Sequence, residues 1–170
     1  MLYLIVLIIL LALGLLWLSA RQRKAAGLPA GRVIYTDTNR WGPLEKPLYD
    51  AQFGLTGKPD YLVYQKDQII PVEVKSRRVK QAAPDGHIFQ LAAYCLLVER
   101  IFGKRPPYGI LHYPNRTMAV DFTPELEAAV IELIGDMHAQ ERRQELDRSH
   151  DSAARCARCG YRSICDQAIR

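Results

Sequence analysis

The stretch Gly57-Lys58-Pro59-Asp60-Tyr61-Leu62-Val63-Tyr64-Gln65-Lys66-Asp67-Gln68-Ile69-Ile70-Pro71-Val72-Glu73-Val74-Lys75 decides the fold. Asp60 to Tyr64 is β-prone, Gln65 to Gln68 is polar and turn-like, and Ile69 to Lys75 is β-prone again. The spacing predicts a hairpin. Alternation with period two then puts Glu73 and Lys75 on one sheet face and Val74 on the other. The hairpin carries Asp60, at its start, toward Glu73. Two carboxylates close together repel, and a hard divalent cation is the natural way to keep both ionised. A neighbouring lysine orients or deprotonates a water and offsets charge developing on a phosphate. Glu-x-Lys alone is common, and by itself it fits a surface hairpin with scattered charge just as well.

Downstream, Arg77 to Pro84 reads as a basic, proline-ended loop. Arg77, Arg78 and Lys80 suit phosphate neutralisation without base reading, and equally a solvated loop. From Asp85 to Phe102 the apolar positions Ile88, Leu91, Ala92, Cys95, Leu96 and Val98 recur at helical spacing. His87, Gln90 and Tyr94 share one face of that helix. Lys104 to Pro107 breaks it, and Tyr108–Tyr113 and Thr117–Phe122 read as strands joined by the turn Pro114-Asn115-Arg116. Thr123-Pro124 starts a last helix with a Leu126, Val130, Leu133, Met137 stripe running to about Asp147. Upstream, Val33 to Thr36 is β-prone and Asn39 to Asp50 an irregular loop. Strands and helices in this order indicate an α/β or α+β single domain.

Three pieces taken together, Gly57-Lys58-Pro59-Asp60, Pro71-Val72-Glu73-Val74-Lys75-Ser76 and Gln90-Leu91-Ala92-Ala93-Tyr94, resemble the PD-(D/E)XK nuclease superfamily. Within it the pattern is most similar to the RecB-like branch that includes the CRISPR-associated adaptation exonucleases. The likeness runs from about Gly54 to the C-terminus. It implies an α/β, restriction-endonuclease-like mixed sheet flanked by helices. It implies Mg²⁺ or Mn²⁺ held by Asp60 and Glu73 with the Val74 carbonyl, a water positioned by Lys75, and a substrate backbone placed by Gln90 and Tyr94. The implied activity is that of a DNA exonuclease preferring single strands. Many members of the branch also supply an upstream metal-binding histidine, and here no histidine precedes His87. Glu45, Asp50 and His87 are the candidates for that place, and none is secured by spacing.

The first twenty residues carry no charge and are built almost wholly of Leu, Ile, Val and Ala, with Arg21, Arg23 and Lys24 directly after them. That pattern predicts a transmembrane anchor over 1–20, a linker over 21–32, and a single-pass protein of the cell membrane with its domain, 33–147, in the cytoplasm. A cleaved signal peptide would carry its positive charge before the apolar run.

The C-terminal segment, 148–170, holds Cys156, Cys159 and Cys165 as C-x2-C-x5-C, interleaved with Arg155, Arg158 and Arg162. Thiols spaced this closely in a cytoplasmic chain indicate a metal more often than a disulfide. The resemblance favours a 4Fe–4S cluster, although the family's fourth, upstream cysteine is absent. His150 would complete a Cys3His set that suits Zn²⁺ as well. Cys95 lies on an apolar helix face and reads as a small buried residue.

The 170 residues carry 23 Lys plus Arg against 18 Asp plus Glu, a net charge of +5. Mean hydropathy of −0.12 excludes a polytopic membrane protein, and 49% hydrophobic residues exclude a disordered chain. A modest basic excess fits a polyanionic partner without demanding one. Three functions follow from these features: a membrane-tethered, metal-dependent DNA nuclease without sequence preference, a catalytically silent nucleic-acid-binding module on the same scaffold, and a membrane-tethered assembly protein stapled by its cysteines.

Overall fold

The computed structural model describes residues 2–25, 32–36, 47–143 and 147–169. Helix α1, Leu2–Ala25, is followed by strand β1, Arg32–Thr36. The short strands β2, Leu48–Asp50, and β3, Leu55–Gly57, pair with each other. Then come β4, Tyr61–Gln65, β5, Gln68–Val74, helix α2, Asp85–Phe102, and strands β6, Tyr108–Tyr113, and β7, Arg116–Asp121. Helix α3, Pro124–Glu141, and the single-turn α4, Ala153–Ala157, complete the chain. Residues 1–132 and 133–170 form two compact units.

The first unit is built on a five-stranded sheet of order β1-β4-β5-β6-β7. Every neighbouring pair is antiparallel except β5 and β6, which are parallel and joined through α2. The β4–β5 hairpin turns on Lys66 and Asp67, both at positive φ (46° and 66°), the twist that a two-residue hairpin loop requires. Pro71 lies opposite Leu62 in this hairpin, and pairing with β6 starts one residue later, at Val72 opposite Ile110. A proline has no N–H to give to a ladder, so it suits the place where pairing on one side has not begun.

Alternation divides the sheet into two apolar faces. Leu62, Ile69, Leu111 and Tyr113 pack against Leu91, Tyr94, Leu97 and Val98 of α2, while Val63, Ile70, Val72 and Ile110 are buried on the opposite side. The helix lies very close to the sheet. A Cβ on Gly109 would come within 2.6 Å of Leu91, and one on Gly57 within 2.8 Å of Leu97 and Tyr94. Helix α2 stops at Gly103, whose left-handed φ of 64° lets its N–H cap the Glu99 carbonyl.

The mixed α/β sheet flanked by helices agrees with the sequence reading, and three other expectations change. The region read as an irregular loop up to Asp50 ends in the β2–β3 hairpin, whose three-residue strands are too short to show alternation. Helix α3 stops at Glu141 rather than near Asp147, and of its stripe only Val130 is buried, Leu133 and Met137 being exposed. The transmembrane anchor is also corrected. Among the described residues no helix is long and apolar enough to cross a membrane. The single-pass membrane location with a cytoplasmic domain falls with the anchor. Of the 21–32 linker, residues 21–25 continue helix α1, Arg32 opens β1, and 26–31 lie outside the described residues.

Candidate active site

Strand β5 ends in Val72-Glu73-Val74, and Lys75 follows with its N–H on the His112 carbonyl at 2.8 Å. Tyr61 pairs with Val72, so Asp60, just before β4, stands opposite Glu73. Its carboxylate Oδ2 accepts the Val74 N–H at 2.6 Å, which fixes the aspartate to the end of β5. Glu73 is the only buried charged residue among those described, at 7% exposure. Its Oε1 accepts from Lys75 Nζ at 2.8 Å and from Gln90 Nε2 at 3.0 Å. The Gln90 Oε1 accepts from the same Lys75 Nζ at 2.6 Å, and Gln90 Nε2 also donates to Tyr94 Oη at 2.8 Å. Glu73, Lys75, Gln90 and Tyr94 thus form one closed hydrogen-bond network, with Asp60 beside it. Gly57 makes the arrangement possible, since any side chain there would displace the Tyr94 ring.

Burial pushes the Glu73 carboxyl above its ordinary range, and the neighbouring Asp60 charge adds to that; Lys75 and Gln90 act in the opposite direction. Among the described residues, Glu73 Oε2 and Asp60 Oδ1 have no hydrogen-bond donor. Two neighbouring carboxylates, each with an oxygen to spare, make an oxygen-only donor set. That set fits a hard divalent cation such as Mg²⁺ or Mn²⁺.

His87 lies on the same helix face, but its Nδ1 is engaged by the Tyr113 hydroxyl at 2.7 Å. Burial, and then the nearby Lys75 charge, hold its pKa below the ordinary value. Asp50 belongs to the β2–β3 hairpin, where its carboxylate accepts from Phe53 N–H at 2.9 Å and Arg100 Nε at 3.2 Å. The Phe53 hydrogen bond, with help from Arg100, lowers its pKa. Glu45 lies outside the described residues. Arg77, Arg78 and Lys80 are exposed on the loop that leaves Lys75, with no acidic partner among the described residues.

In the second unit, Cys156, Cys159 and Cys165 line one cavity of about 320 Å³ together with His150, Arg148 and Arg162. All four cysteines of the chain are free thiols; Cys95 and Cys156 are buried, Cys159 and Cys165 exposed. Yet among the described residues no group of three or more His, Cys, Asp or Glu is placed to hold a metal ion. This corrects the Cys-rich metal module, iron–sulfur or zinc. The segment is instead tied together by hydrogen bonds. Arg148 binds both ends of the segment, its N–H reaching Gln167 Oε1 at 2.7 Å and its Nη1 the Gln167 carbonyl at 3.0 Å. It also reaches the His150 carbonyl and Asp151. His150 Nδ1 accepts from Ser152 N–H at 3.2 Å, and Cys156 Sγ accepts from Ile169 N–H at 3.5 Å.

Sequence reasoning missed two connections, the His87–Tyr113 bond and a pair of bonds between Asn115 and Val79. Composition marked Asn115 as a turn residue, but nothing local shows what a turn will touch.

No curated protein matches the chain. Among solved structures, that of SSO0001 is similar at 20% identity and a TM-score of 0.44, over 82% of this chain and 58% of that one. The chain therefore spans little more than half of that protein's length. The family model of the PD-(D/E)XK nuclease superfamily matches residues 8–166, nearly the whole sequence and all of the Asp60–Tyr94 site. The chain belongs to the PD-(D/E)XK nuclease superfamily.

Proposed function

We propose that this protein is a divalent-metal-dependent deoxyribonuclease without sequence preference, acting at the Asp60–Glu73–Lys75 site. The observation that carries this reading is the buried Glu73 carboxylate, bonded to Lys75 and Gln90 and facing Asp60 with one oxygen of each carboxylate unused. Asp60, Glu73 and the Val74 carbonyl would hold Mg²⁺ or Mn²⁺, which when bound lowers the pKa of water and offsets phosphate charge. Lys75 has two of its three donors committed to Glu73 and Gln90, and its third is left for the attacking water or a phosphate oxygen. Gln90 keeps Lys75 and Glu73 in fixed relation, and Tyr94 closes the network from the helix. Arg77, Arg78 and Lys80 supply exposed positive charge that attracts a phosphate backbone whatever its bases.

The test uses the purified chain on end-labelled single- and double-stranded DNA and on RNA, with Mg²⁺, with Mn²⁺ and with a chelator. Cleavage of DNA that needs a divalent ion and disappears in Lys75→Ala supports the reading. Salt-sensitive DNA binding by wild type without cleavage under either ion replaces it with the catalytically silent module.

A further inference from the structure

The segment from Ser76 to Pro84 links the candidate catalytic strand to α2 and carries Arg77, Arg78 and Lys80. Its middle is tied down by residues far away in sequence. The Val79 side chain packs against the apolar cluster beneath α2. The Val79 N–H donates to Asn115 Oδ1 at 3.1 Å, and the Val79 carbonyl accepts from Asn115 Nδ2 at 2.8 Å. One carboxamide therefore satisfies both backbone groups of one residue, as a paired strand would. The next residue repeats the tie, with Arg116 Nη1 donating to the Gln81 carbonyl at 2.5 Å. Strands β5 and β6 are parallel, so the loop after β5 and the turn after β6 leave the sheet at the same edge as Glu73 and Lys75. The clamped residue sits between the three exposed cations.

An unclamped loop would have to be ordered when a phosphate backbone binds, and that ordering subtracts from affinity. We infer that Asn115 is a positioning residue for nucleic acid: by clamping Val79 it presents Arg77, Arg78 and Lys80 to the substrate backbone in register with the Glu73–Lys75 site. This inference rests on the nuclease reading above. It gives the β6–β7 turn, which contributes no group to the chemistry, a share in substrate affinity.

The experiment measures binding of a labelled oligonucleotide to the full chain in chelator across a salt series, then cleavage kinetics with metal. Asn115→Ala should weaken binding about tenfold and make the slope of log Kd against log salt shallower by about 0.7–1.4, one or two lost phosphate contacts. KM should rise while kcat stays within about twofold. Asn115→Asp, which keeps only the acceptor for Val79 N–H, should fall between, and serves if the alanine variant does not fold. In a background with Arg77, Arg78 and Lys80 all changed to Gln, Asn115→Ala should cost nothing more, because the clamp then has no cations to place. A loss of kcat with Kd and salt slope unchanged, or an equal loss in the triple background, overturns the inference and leaves Asn115 a turn-stabilising residue. Tight, salt-dependent binding by wild type shows that the nucleic-acid reading itself stands in either case; absence of binding removes both.

Discussion

The end of β5 and the cysteine segment each gather side chains suited to chemistry, and they are held together by different forces. At the end of β5 the polar network is framed by apolar packing: Leu62, Leu91, Tyr94 and Leu97 are buried within the same layer, and α2 lies so close that glycine is required at 57 and 109. Around Cys156 the frame is polar. Arg148 and Gln167 tie the start of the segment to its end, and Cys156 is its one buried apolar side chain. A site inside a close-packed layer has few alternative arrangements, and its geometry survives while charges repel. A segment held by exposed hydrogen bonds opens locally at low cost. Chemistry that needs fixed distances belongs in the first region. The thiols of the second are readily rearranged.

That contrast gives four predictions. Lys75→Ala should lower cleavage by at least about 10²-fold while leaving the melting temperature nearly unchanged, since on the proposed function it removes the group that handles the proton and it takes away little buried apolar surface. Thermal unfolding and single-turnover cleavage check it, and a collapse of the fold would show that the network is a structural member as well. Gly109→Ala should destabilise the first unit by about 1–3 kcal/mol, because the buried Leu91 side chain must move to admit a methyl group. Chemical denaturation measures this; a neutral result would mean that α2 is free to lift off the sheet and that the close packing is not a constraint. Arg148→Ala should cost about 1 kcal/mol locally, read as faster proteolysis near 147 and 167 with cleavage activity intact.

The smallest effect concerns pH. The Glu73 pKa is raised in the folded protein above its ordinary 4.5, so folding favours the protonated form. Its contribution is therefore fully present below pH 4.5 and is lost as pH rises through the folded-state pKa. In chelator, Glu73→Gln should be slightly more stable than wild type at pH 7, and the difference should shrink as pH falls toward 4.5. Melting curves at several pH values check it. A variant less stable than wild type at pH 7 would show that the Lys75 and Gln90 bonds outweigh burial.

The parts of the fold carried by strong periodicity were legible. Helix α2 and strand β6 lie where the apolar spacing puts them, and the β4–β5 hairpin differs by one residue at each strand. The β2–β3 hairpin was hidden because three-residue strands show no alternation and Pro43 and Pro47 nearby suggest a loop. Helix α3 was overextended because Leu133 and Met137 continue a stripe that is not buried. At the site, period-two spacing anticipated the shared face of Glu73 and Lys75, and helical spacing that of Gln90 and Tyr94. The hydrogen bonds of Asn115 with Val79, 36 positions away, depend on how β5 and β6 come together, which no local pattern contains. The cysteine spacing showed that three thiols would be near one another. It did not show whether they converge on a point.

Pro71 has a consequence for how this chain behaves among its own copies. The leading half of β5, Gln68 to Ile70, has β4 on one side and does not take part in the β6 ladder on the other. A β-prone half-strand of this kind is a place where a second chain adds in newly made protein, before α2 and β6 have docked. Proline interrupts any such ladder at the point where it would join the Val72–Val74 segment, because no donor is available there. Pro71→Val should leave the finished fold nearly as stable, yet lower the yield of soluble protein on refolding at high concentration.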